Sequence, residues 1–394
     1  NGTWQAGYRG SNFSNEKTRI INVRDVVEPR VKVSGPGCVF PGILGPVETV
    51  GEGRTHRLSG VTVMASVDYQ TVAPAGAEKQ RSGLVDMWGA GSQMTPFGST
   101  INIVLIFKLV GGVSGLEAHA AIQLAEFRVA HRLAEATRNE LSDNMEIYDL
   151  FKVDVSLPRV VYIMGCKTGA AFPNFGNAYY GLPIRETLPL FIHPNELLDG
   201  ALTPDARQGS SVQPTSWEYM NQPAVLGLFK RHGKELNFLG VIFQRTRFET
   251  EHGKQVTAAA TSQMARLMGA DGAIITRVSS SGNNFVDVML TVQACERKGV
   301  KVVLLGPEWG GRDGTEAPLL SYVPEATAMV TTGGLEREII LSTPTKVVGG
   351  GNGHFSETRT GETFSPWSEG IAPPFSIIGS TDWWGATHRT CKEY

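Results

Sequence analysis

The sequence has few cysteines, no long apolar run and almost no net charge, and each absence excludes a class of protein. Its four cysteines, Cys38, Cys166, Cys295 and Cys391, lie far apart without a Cys-x-x-Cys pair, which argues against a zinc site or a disulfide scaffold. The chain contains no apolar run of about 18 residues, the length that predicts a membrane span. No basic-then-apolar signal pattern is present, so we expect a cytoplasmic protein. A net charge of −2 gives no electrostatic reason to expect nucleic acid or a membrane as a partner.

Glycine, by contrast, is abundant, and its turns divide the chain into regions of different character. The 46 glycines among 394 residues indicate many tight turns and close backbone approaches. The predicted regions are a β-rich region over 1–110, an α/β region over 111–220, a Rossmann-like α/β domain over 221–348 and a Gly-rich aromatic tail over 349–394. Because the tail carries three tryptophans, we expect it to pack on the body of the protein.

The region from 221 to 348 alternates between strand-like and helix-like stretches. The stretches that predict strands are 236–244, 272–278, 301–306, 327–332 and 337–341. Helical periodicity over 256–270 and 285–299 predicts two helices, which end at Gly269 and Gly299. Apolar strands that alternate with helices of this length predict an α/β fold with a doubly wound parallel sheet.

The loop GPEWGGRDGTEAP (306–318) concentrates charge directly after the predicted strand KVVLLG. In open α/β sheets, ligands bind beyond the carboxyl ends of the strands, which makes this loop a candidate pocket. Its candidate catalytic residues are Glu308, Arg312 and Asp313, and Trp309 is a candidate substrate contact. The alternative is a structural loop in which Arg312 pairs with Glu308 or Asp313. The loop has neither the GxxxxGK[ST] nor the GxGxxG spacing of a phosphate-binding motif.

Other candidate site residues also have a structural alternative. Cys166 follows a predicted strand beside Lys167, which favours a reactive thiolate, although lone cysteines after buried strands are more often small core residues. His56, after a GEG turn, is a candidate general acid–base or a solvated turn residue. Thr95 lies in a Gly-rich stretch that indicates close approach of the backbone to a substrate or to a partner subunit.

The spacing of His193 and Glu196 also suits a shared helical face, which allows metal binding or an acid–base pair. However, Pro194 lies between them at a probable helix start, which favours a capping role for His193. We therefore predict no metal site.

Long blocks of the sequence match one known family. They are INVRDVVEPRVKVSGPGCVFPGILGPVETVGEGRTHRLSG (21–60), MWGAGSQMTPFGSTINIVL (87–105), FIHPNELLDGAL (191–202), LFKRHGKELNFLGVI (228–242), ERKGVKVVLLGPEWGGRDGTEAPL (296–319), EATAMVTTGG (325–334) and IIGSTDWWGATHRTCKEY (377–394). In these blocks the chain resembles the proprotein subunit of component B of the glycine, sarcosine and betaine reductases. The resemblance covers roughly residues 20–394, with weaker matches around 66–82 and 350–370.

The resemblance implies a subunit that works with a second one, in a heterotetramer or a larger complex. In this family the partner carries a selenocysteine or a cysteine, which attacks the α-carbon of the substrate and releases the amine. The proprotein subunit is itself split at an Asn-Cys bond, and the new terminal cysteine becomes a pyruvoyl group. A pyruvoyl carbonyl captures an amine and acts as an electron sink.

The chain departs from its family at the scission position. There it reads TPDARQGSSVQP (203–214), and simple counting puts Ala206–Arg207 at the bond. Arginine has no nucleophile for an acyl shift, and Ser210 or Ser211 offers only a slower route. We therefore predict no cleavage, no pyruvoyl group and no other cofactor in this chain. Arg207 either binds an anionic group of the substrate or lies on a surface loop.

The predicted function is that of an uncleaved subunit of a reductase-like heteromer. Together with a cysteine or selenocysteine of the partner, it would cleave a carbon–heteroatom bond in a small polar substrate, and the bond we predict is C–N. One alternative keeps the scaffold but changes the reaction to hydrolysis or lyase chemistry without net reduction. A second alternative is a non-catalytic scaffold subunit that orients the catalytic partner. Only the first requires reducing equivalents.

Overall fold

The chain folds into two compact units that interleave along the sequence. The computed structural model describes residues 2–7, 16–67, 83–110, 115–167, 176–184, 189–205, 213–246, 250–278, 282–311, 315–317, 319–335, 338–350, 355–356, 363–372 and 376–386. The first unit contains Asn1–Ser142, Thr203–Glu218 and Glu336–Thr381. The second contains Asp143–Leu202, Tyr219–Leu335 and Asp382–Tyr394.

Strands and short to medium helices alternate along the chain. The strands are β1 (Gly2–Gly7), β2 (Thr18–Val27), β3 (Arg30–Ser34), β4 (Arg54–Arg57), β5 (Val61–Val67), β6 (Gly83–Asp86), β7 (Ile101–Phe107), β8 (Arg159–Lys167), β9 (Asn177–Tyr179), β10 (Leu182–Pro183), β11 (Leu190–Ile192), β12 (Leu202–Pro204), β13 (Asn237–Thr246), β14 (Gly272–Arg277), β15 (Lys301–Glu308), β16 (Met329–Gly334), β17 (Ile339–Leu341), β18 (Lys346–Val348), β19 (Phe355–Ser356), β20 (Thr363–Phe364) and β21 (Gly370–Ala372). The helices are α1 (Gly89–Gln93), a 3₁₀ turn (Pro96–Ser99), α2 (Gly115–Glu135), α3 (Asn195–Leu198), α4 (Ser216–Met220), α5 (Pro223–Arg231), α6 (Glu251–Leu267) and α7 (Gly282–Arg297). None of the helices in the described ranges is both long and apolar enough to cross a bilayer.

A mixed sheet lies at the centre of the first unit. Its order is β1-β7-β5-β2-β18, and β6 also pairs with β2. Strands β5 and β7 run parallel, as do β2 and β18, whereas β1 and β6 pair antiparallel with their neighbours. All ten residues of β2 are buried. Its side chains Ile20, Val23 and Val26 join Met64 and Val104 in one apolar core.

Because β2 is buried throughout, its polar side chains need partners inside the protein. The Arg19 guanidinium donates to both carboxylate oxygens of Asp86, at 2.7 and 3.0 Å. It also donates to the carbonyl oxygens of Ser342, Pro366 and Ser368, at 2.9, 3.1 and 3.0 Å. These bonds tie β2 to β6 and to two segments far along the chain.

Helix α2 covers part of the first unit's sheet. Helical periodicity from Leu116 to Ser142 predicts one helix in this part of the chain. The structure contains that helix but ends it at Glu135. Its Ala118 and Ile122 pack against Ala65 of β5. Farther along the helix, the ring of Phe127 stacks on Phe40 with centroids 3.9 Å apart. These contacts bury the apolar stripe that the periodicity predicts.

A second sheet, in order β11-β13-β8-β14-β15-β16, organises the second unit. Strands β13, β8, β14, β15 and β16 are parallel, and β11 is antiparallel at one edge. Four of the predicted strands therefore lie in one parallel sheet, namely 236–244, 272–278, 301–306 and 327–332. The last three are consecutive neighbours as β14, β15 and β16, and β8 lies between them and β13. The α/β class predicted from the sequence is confirmed.

Apolar cores lie on both faces of this parallel sheet. Along β8, Tyr162, Met164 and Cys166 belong to one core cluster, which also contains Trp383 and Trp384 of the tail. The intervening Val161 and Ile163 belong to another cluster, with side chains of α6 and α7. Successive side chains of a strand point to opposite faces, so the nearly continuous apolar run of β8 reflects burial on both sides. The third tryptophan of the tail, Trp367, is 57% exposed.

The glycines that end the two predicted helices agree with the structure, whereas two of the predicted strands differ from it. Helices α6 and α7 are followed by Gly269 and Gly299, whose φ values of 75° and 79° lie in the left-handed region that favours glycine at a helix end. The fifth strand predicted over 337–341 is wrong as a member of the parallel sheet, because β17 pairs antiparallel with β21. Strand β15 also extends past the predicted loop start, since Glu308 still pairs with Gly334.

Candidate functional site

Charged residues occupy the carboxyl ends of three neighbouring parallel strands in the second unit. Strand β8 ends at Lys167, β14 at Arg277 and β15 at Glu308. Lys167 and Arg277 are buried, and Glu308 is half-buried. Parallel strands place their carboxyl ends along the same edge, which is where ligands bind in open α/β sheets.

A cavity of about 220 Å³ opens at this edge, beside β14, β15 and β16. Its wall is mostly apolar and includes Leu304, Leu319 and Met329. Two charged side chains, Arg277 and Glu308, also line it. An apolar cleft with a few polar groups is the usual composition of a small-molecule site.

Arg277 supplies positive charge to the wall of this cavity. Its side chain is only 2% exposed. The guanidinium carbon lies 4.4 Å from the centroid of the Phe285 ring, which is cation–π geometry. Burial lowers the pKa of Arg277 to about 9, so the group stays charged at neutral pH. Sequence reasoning missed Arg277, although the pattern GAIITR, with a charge at the end of an apolar strand, could have indicated it.

A buried ion pair joins the two helices on one face of this sheet. The Lys254 ammonium, in the first turn of α6, donates to a carboxylate oxygen of Asp287 on α7 at 2.5 Å. It also donates to the carbonyl oxygen of Asn283 at 3.2 Å. Sequence analysis missed this pair because 33 residues separate its members. Its contacts lie between the helices, and neither member lines the cavity.

Cys166, a predicted catalytic residue, lies at the end of β8 inside the apolar core. Its side chain has no solvent exposure. Its carbonyl oxygen accepts a hydrogen bond from the Thr246 hydroxyl at 3.3 Å. Burial raises the pKa of the Cys166 thiol above its ordinary value, which favours the neutral thiol over the nucleophilic thiolate.

The other predicted residues fall into three groups. Glu308 and the half-buried Trp309 are at the end of β15 and just beyond it, in the second unit with Cys166. His56 and Thr95 belong to the first unit. Arg207, Arg312 and Asp313 lie outside the described residues, as does the predicted scission position.

His56 and Thr95 each make a local contact within the first unit. The His56 Nδ1 lies 2.8 Å from the Thr137 carbonyl oxygen, a contact in which the ring nitrogen donates. The Thr95 hydroxyl accepts from the backbone N–H of Phe97 at 3.3 Å and so caps the 3₁₀ turn. Thr95 is buried, with 7% of its surface exposed. These contacts orient both side chains but assign neither of them a chemical role.

Glu196 is held by hydrogen bonds within the second unit. Its carboxylate accepts from the hydroxyl groups of Tyr179 and Tyr180 at 2.6 and 2.8 Å, and from the His193 backbone N–H at 3.1 Å. The Glu196 carboxylate, which the His193–Glu196 spacing made a candidate metal ligand, thus accepts hydrogen bonds from two tyrosines and the backbone instead. In the described part of the chain, no group of three or more His, Cys, Asp and Glu side chains is arranged to hold a metal ion.

Comparison with known proteins relates these features to one family. A family profile described as "Glycine/sarcosine/betaine reductase component B subunits" matches residues 13–388. The chain is 33% identical, over 343 residues, to the glycine reductase complex component B subunits alpha and beta of Acetoanaerobium sticklandii, covering 85% of this chain and 76% of that protein. It is 33% identical over 334 residues to the sarcosine reductase complex component B subunit alpha of Peptoclostridium acidaminophilum, with 81% and 73% covered. The betaine reductase complex component B subunit alpha of that organism is 31% identical, with 84% and 75% covered. No solved structure gives a significant match.

Proposed function

The chain belongs to the family of glycine, sarcosine and betaine reductase component B subunits, and from this premise we propose that it is one subunit of a reductase complex. The relatives are named as components of such complexes. In the proposal, this chain binds a small substrate with a polar reacting end, and a partner subunit supplies a cysteine or selenocysteine nucleophile. The complex breaks a C–N bond of the substrate.

The charged carboxyl edge of the parallel sheet is the observation that carries the proposal. Arg277 and Glu308 line one cavity, at the ends of adjacent strands. Across the sheet the five parallel strands are β13, β8, β14, β15 and β16, which is the order 2-1-3-4-5 when they are numbered along the chain. This order is compatible with the doubly wound fold predicted from the sequence. In folds of that kind, ligands bind at this edge. We therefore propose that Arg277 and Glu308 position the substrate.

The environment of Cys166 supports a nucleophile on the partner. A fully buried thiol with a raised pKa is a poor source of thiolate. In the proposed step, a thiolate or selenolate of the partner attacks the α-carbon, a C–S or C–Se bond forms, and the C–N bond breaks. The amine leaves with a proton, and a dithiol supplies the two electrons that later release the carbon fragment. Hydrolase or lyase chemistry would consume no dithiol.

The proposal also keeps the polypeptide whole. Arg207 stands at the counted scission position, and an arginine side chain offers no nucleophile for self-cleavage. The substrate amine would therefore be held by charge, and Glu308 is the carboxylate on the cavity wall that we propose for this contact. Intact mass spectrometry of the purified chain should give the mass of one uncut polypeptide. Two fragments that meet between residues 206 and 211 would contradict this part of the proposal.

Amine release by the purified complex, measured with and without a dithiol, tests the function. We expect this chain alone to be inactive and the complex to release amine only when a dithiol is present. Glu308→Gln should lower kcat/KM by about 10-fold or more, because one charge-assisted contact to the substrate is lost. Glu235→Gln, at an exposed carboxylate in the turn after α5 of the same unit, is the matched control. Activity of the isolated chain, or equal rates without dithiol, would refute the proposal.

A further inference from the structure

The cavity beside Arg277 is too large and too apolar for the smallest amino acids alone. We propose that it takes an amino acid with a hydrocarbon substituent, whose carboxylate faces Arg277 and whose amino group faces Glu308. This inference rests on the proposed function in taking the cavity as the substrate site. It adds the chemical class of the substrate.

The volume of the cavity sets the size of the ligand. An apolar cavity of about 150 Å³ holds benzene, which has six heavy atoms. Scaled to the 220 Å³ found here, the space suits about nine heavy atoms. An amino acid with a four-carbon chain has that size. Glycine would leave water against an apolar wall, and that arrangement is unfavourable.

The composition of the wall sets the hydrocarbon part. Leu304, Leu305, Leu319 and Met329 supply aliphatic surface, and Pro307 adds to it. Such a wall offers few hydrogen-bond partners to a polar substituent, so a polar substituent would lose its contacts with water on entry. A hydrocarbon substituent gains about 0.8 kcal/mol for each CH₂ buried, or about 200-fold in affinity for a four-carbon chain.

The two charges on the wall set the orientation of the ligand. Arg277 is almost fully buried, whereas Glu308 is half-buried. The buried cation favours the carboxylate at the more enclosed position, because a guanidinium binds a carboxylate through two parallel hydrogen bonds. Glu308 lies at the end of the adjacent strand and presents the opposite charge to an amino group.

Binding of four small molecules to the full chain tests the proposal one feature at a time. By isothermal titration calorimetry, we expect norleucine to bind about 200-fold more tightly than glycine, which lacks the hydrocarbon chain. Pentylamine, which lacks the carboxylate, should bind about 10-fold or more weakly than norleucine. Hexanoate, which lacks the amino group, should fall between norleucine and pentylamine. Equal affinities for glycine and norleucine, or for pentylamine and norleucine, would overturn the proposal.

Variants connect the binding to this cavity. Arg277→Gln should weaken norleucine about 10-fold and change the affinity for pentylamine by less than about 2-fold. Val330→Phe should abolish norleucine binding by filling the cavity. Val303→Phe is the matched control, because Val303 is an equally exposed valine of the neighbouring strand that does not line the cavity. If circular dichroism shows that Arg277→Gln is unfolded, the comparison of Val330→Phe with Val303→Phe tests the site. Equal affinity of these two variants for norleucine would refute the proposed site.

The function and this inference fail in distinguishable ways. A complex that releases amine from glycine in a dithiol-dependent manner, with a chain that binds norleucine no better than glycine, would leave the function standing and refute the inference. A chain that binds norleucine through Arg277, in a complex without dithiol-dependent amine release from any amino acid, would support the inference and refute the function.

Discussion

Asp25→Asn changes one buried carboxyl group whose ionisation opposes folding at neutral pH. Asp25 lies on β2 and is 6% exposed. Its carboxylate accepts hydrogen bonds from the backbone N–H and the hydroxyl of Ser216, at 2.8 and 2.6 Å, and from the Val26 N–H at 2.8 Å. Burial nevertheless raises the pKa of Asp25 from 3.8 to about 6, because desolvation outweighs these bonds.

The magnitude follows from that difference in pKa. Below about pH 3 the group is protonated in both the folded and the unfolded protein and has no effect on stability. As the pH rises from about 3 to 6, the unfolded chain ionises first, so the folded state loses stability until Asp25 ionises as well. The difference between pKa values of 3.8 and about 6 corresponds to about 3 kcal/mol in the free energy of unfolding. The folded protein loses this stability over the pH range between the two values and does not regain it at higher pH.

An asparagine keeps the hydrogen bonds without the charge. Its amide oxygen can accept from the N–H groups of Val26 and Ser216, and its amide nitrogen can donate to the Ser216 hydroxyl. The difference in the free energy of unfolding between Asp25→Asn and wild type should therefore rise by about 3 kcal/mol in favour of the variant between about pH 3 and pH 7. Burial and the Asp25 charge both raise the pKa of the buried Glu126. The variant removes the second cause, so the change at Glu126 also favours the variant as the pH rises.

Urea denaturation followed by far-UV circular dichroism, at steps of about half a unit from about pH 3 to pH 7, measures this difference. Asp143→Asn, at an exposed position of the chain, is the control and should follow wild type at every pH. If Asp25→Asn and wild type changed in parallel over the whole range, desolvation of Asp25 would not be the cause, and the reasoning would be refuted.

Three further predictions concern buried groups. Arg19→Met should destabilise the protein by about 3–5 kcal/mol in the same urea assay, because it leaves a buried carboxylate without its cation; a loss below about 1 kcal/mol would contradict this. Tyr162→Phe should cost about 1–3 kcal/mol, because the Tyr162 hydroxyl lies 2.6 Å from the Thr276 hydroxyl inside the core; an unchanged urea midpoint would count against that bond. Iodoacetamide should modify the half-buried Cys38 of the native protein before Cys166, measured by peptide mass spectrometry, since thiolate character and exposure set the rate; early labelling of Cys166 would show that its strand end is open.

Local patterns predicted the elements of the second unit well. The helical periodicity and terminal glycines of α6 and α7 depend on residues within a few positions of one another, so the sequence alone identifies them. The start of α6 was placed too late, because its Thr250 cap depends on a hydrogen bond to the Gly253 N–H that apolar periodicity does not reveal. The same limit applies to β15, whose last residues look like a loop but pair with β16.

The candidate site was predicted in part. The sequence pointed to the end of KVVLLG, and Glu308 there does line a cavity. The pattern GAIITR also offered Arg277, but it did not separate a ligand-binding residue from a solvated strand end, because a charged residue after an apolar strand fits both. Only the burial of its side chain against Phe285 sets Arg277 apart. For Cys166, the sequence fitted both a reactive thiolate and a small core residue. The structure places this side chain in an apolar core, which favours the second interpretation.

The sequence by itself determined the family, the α/β class and the order of strands and helices from β13 to β16, because these are encoded in long matching blocks and in short-range apolar periodicity. Tertiary structure alone decided that each unit draws on three separate stretches of chain, that β17 pairs with β21, and that Arg277 and Glu308 line one cavity. The physical reason is that these features depend on contacts and burial between residues far apart in sequence. Hydrophobic burial is non-directional, so a local pattern specifies which side chains are buried but not which distant segments cover them.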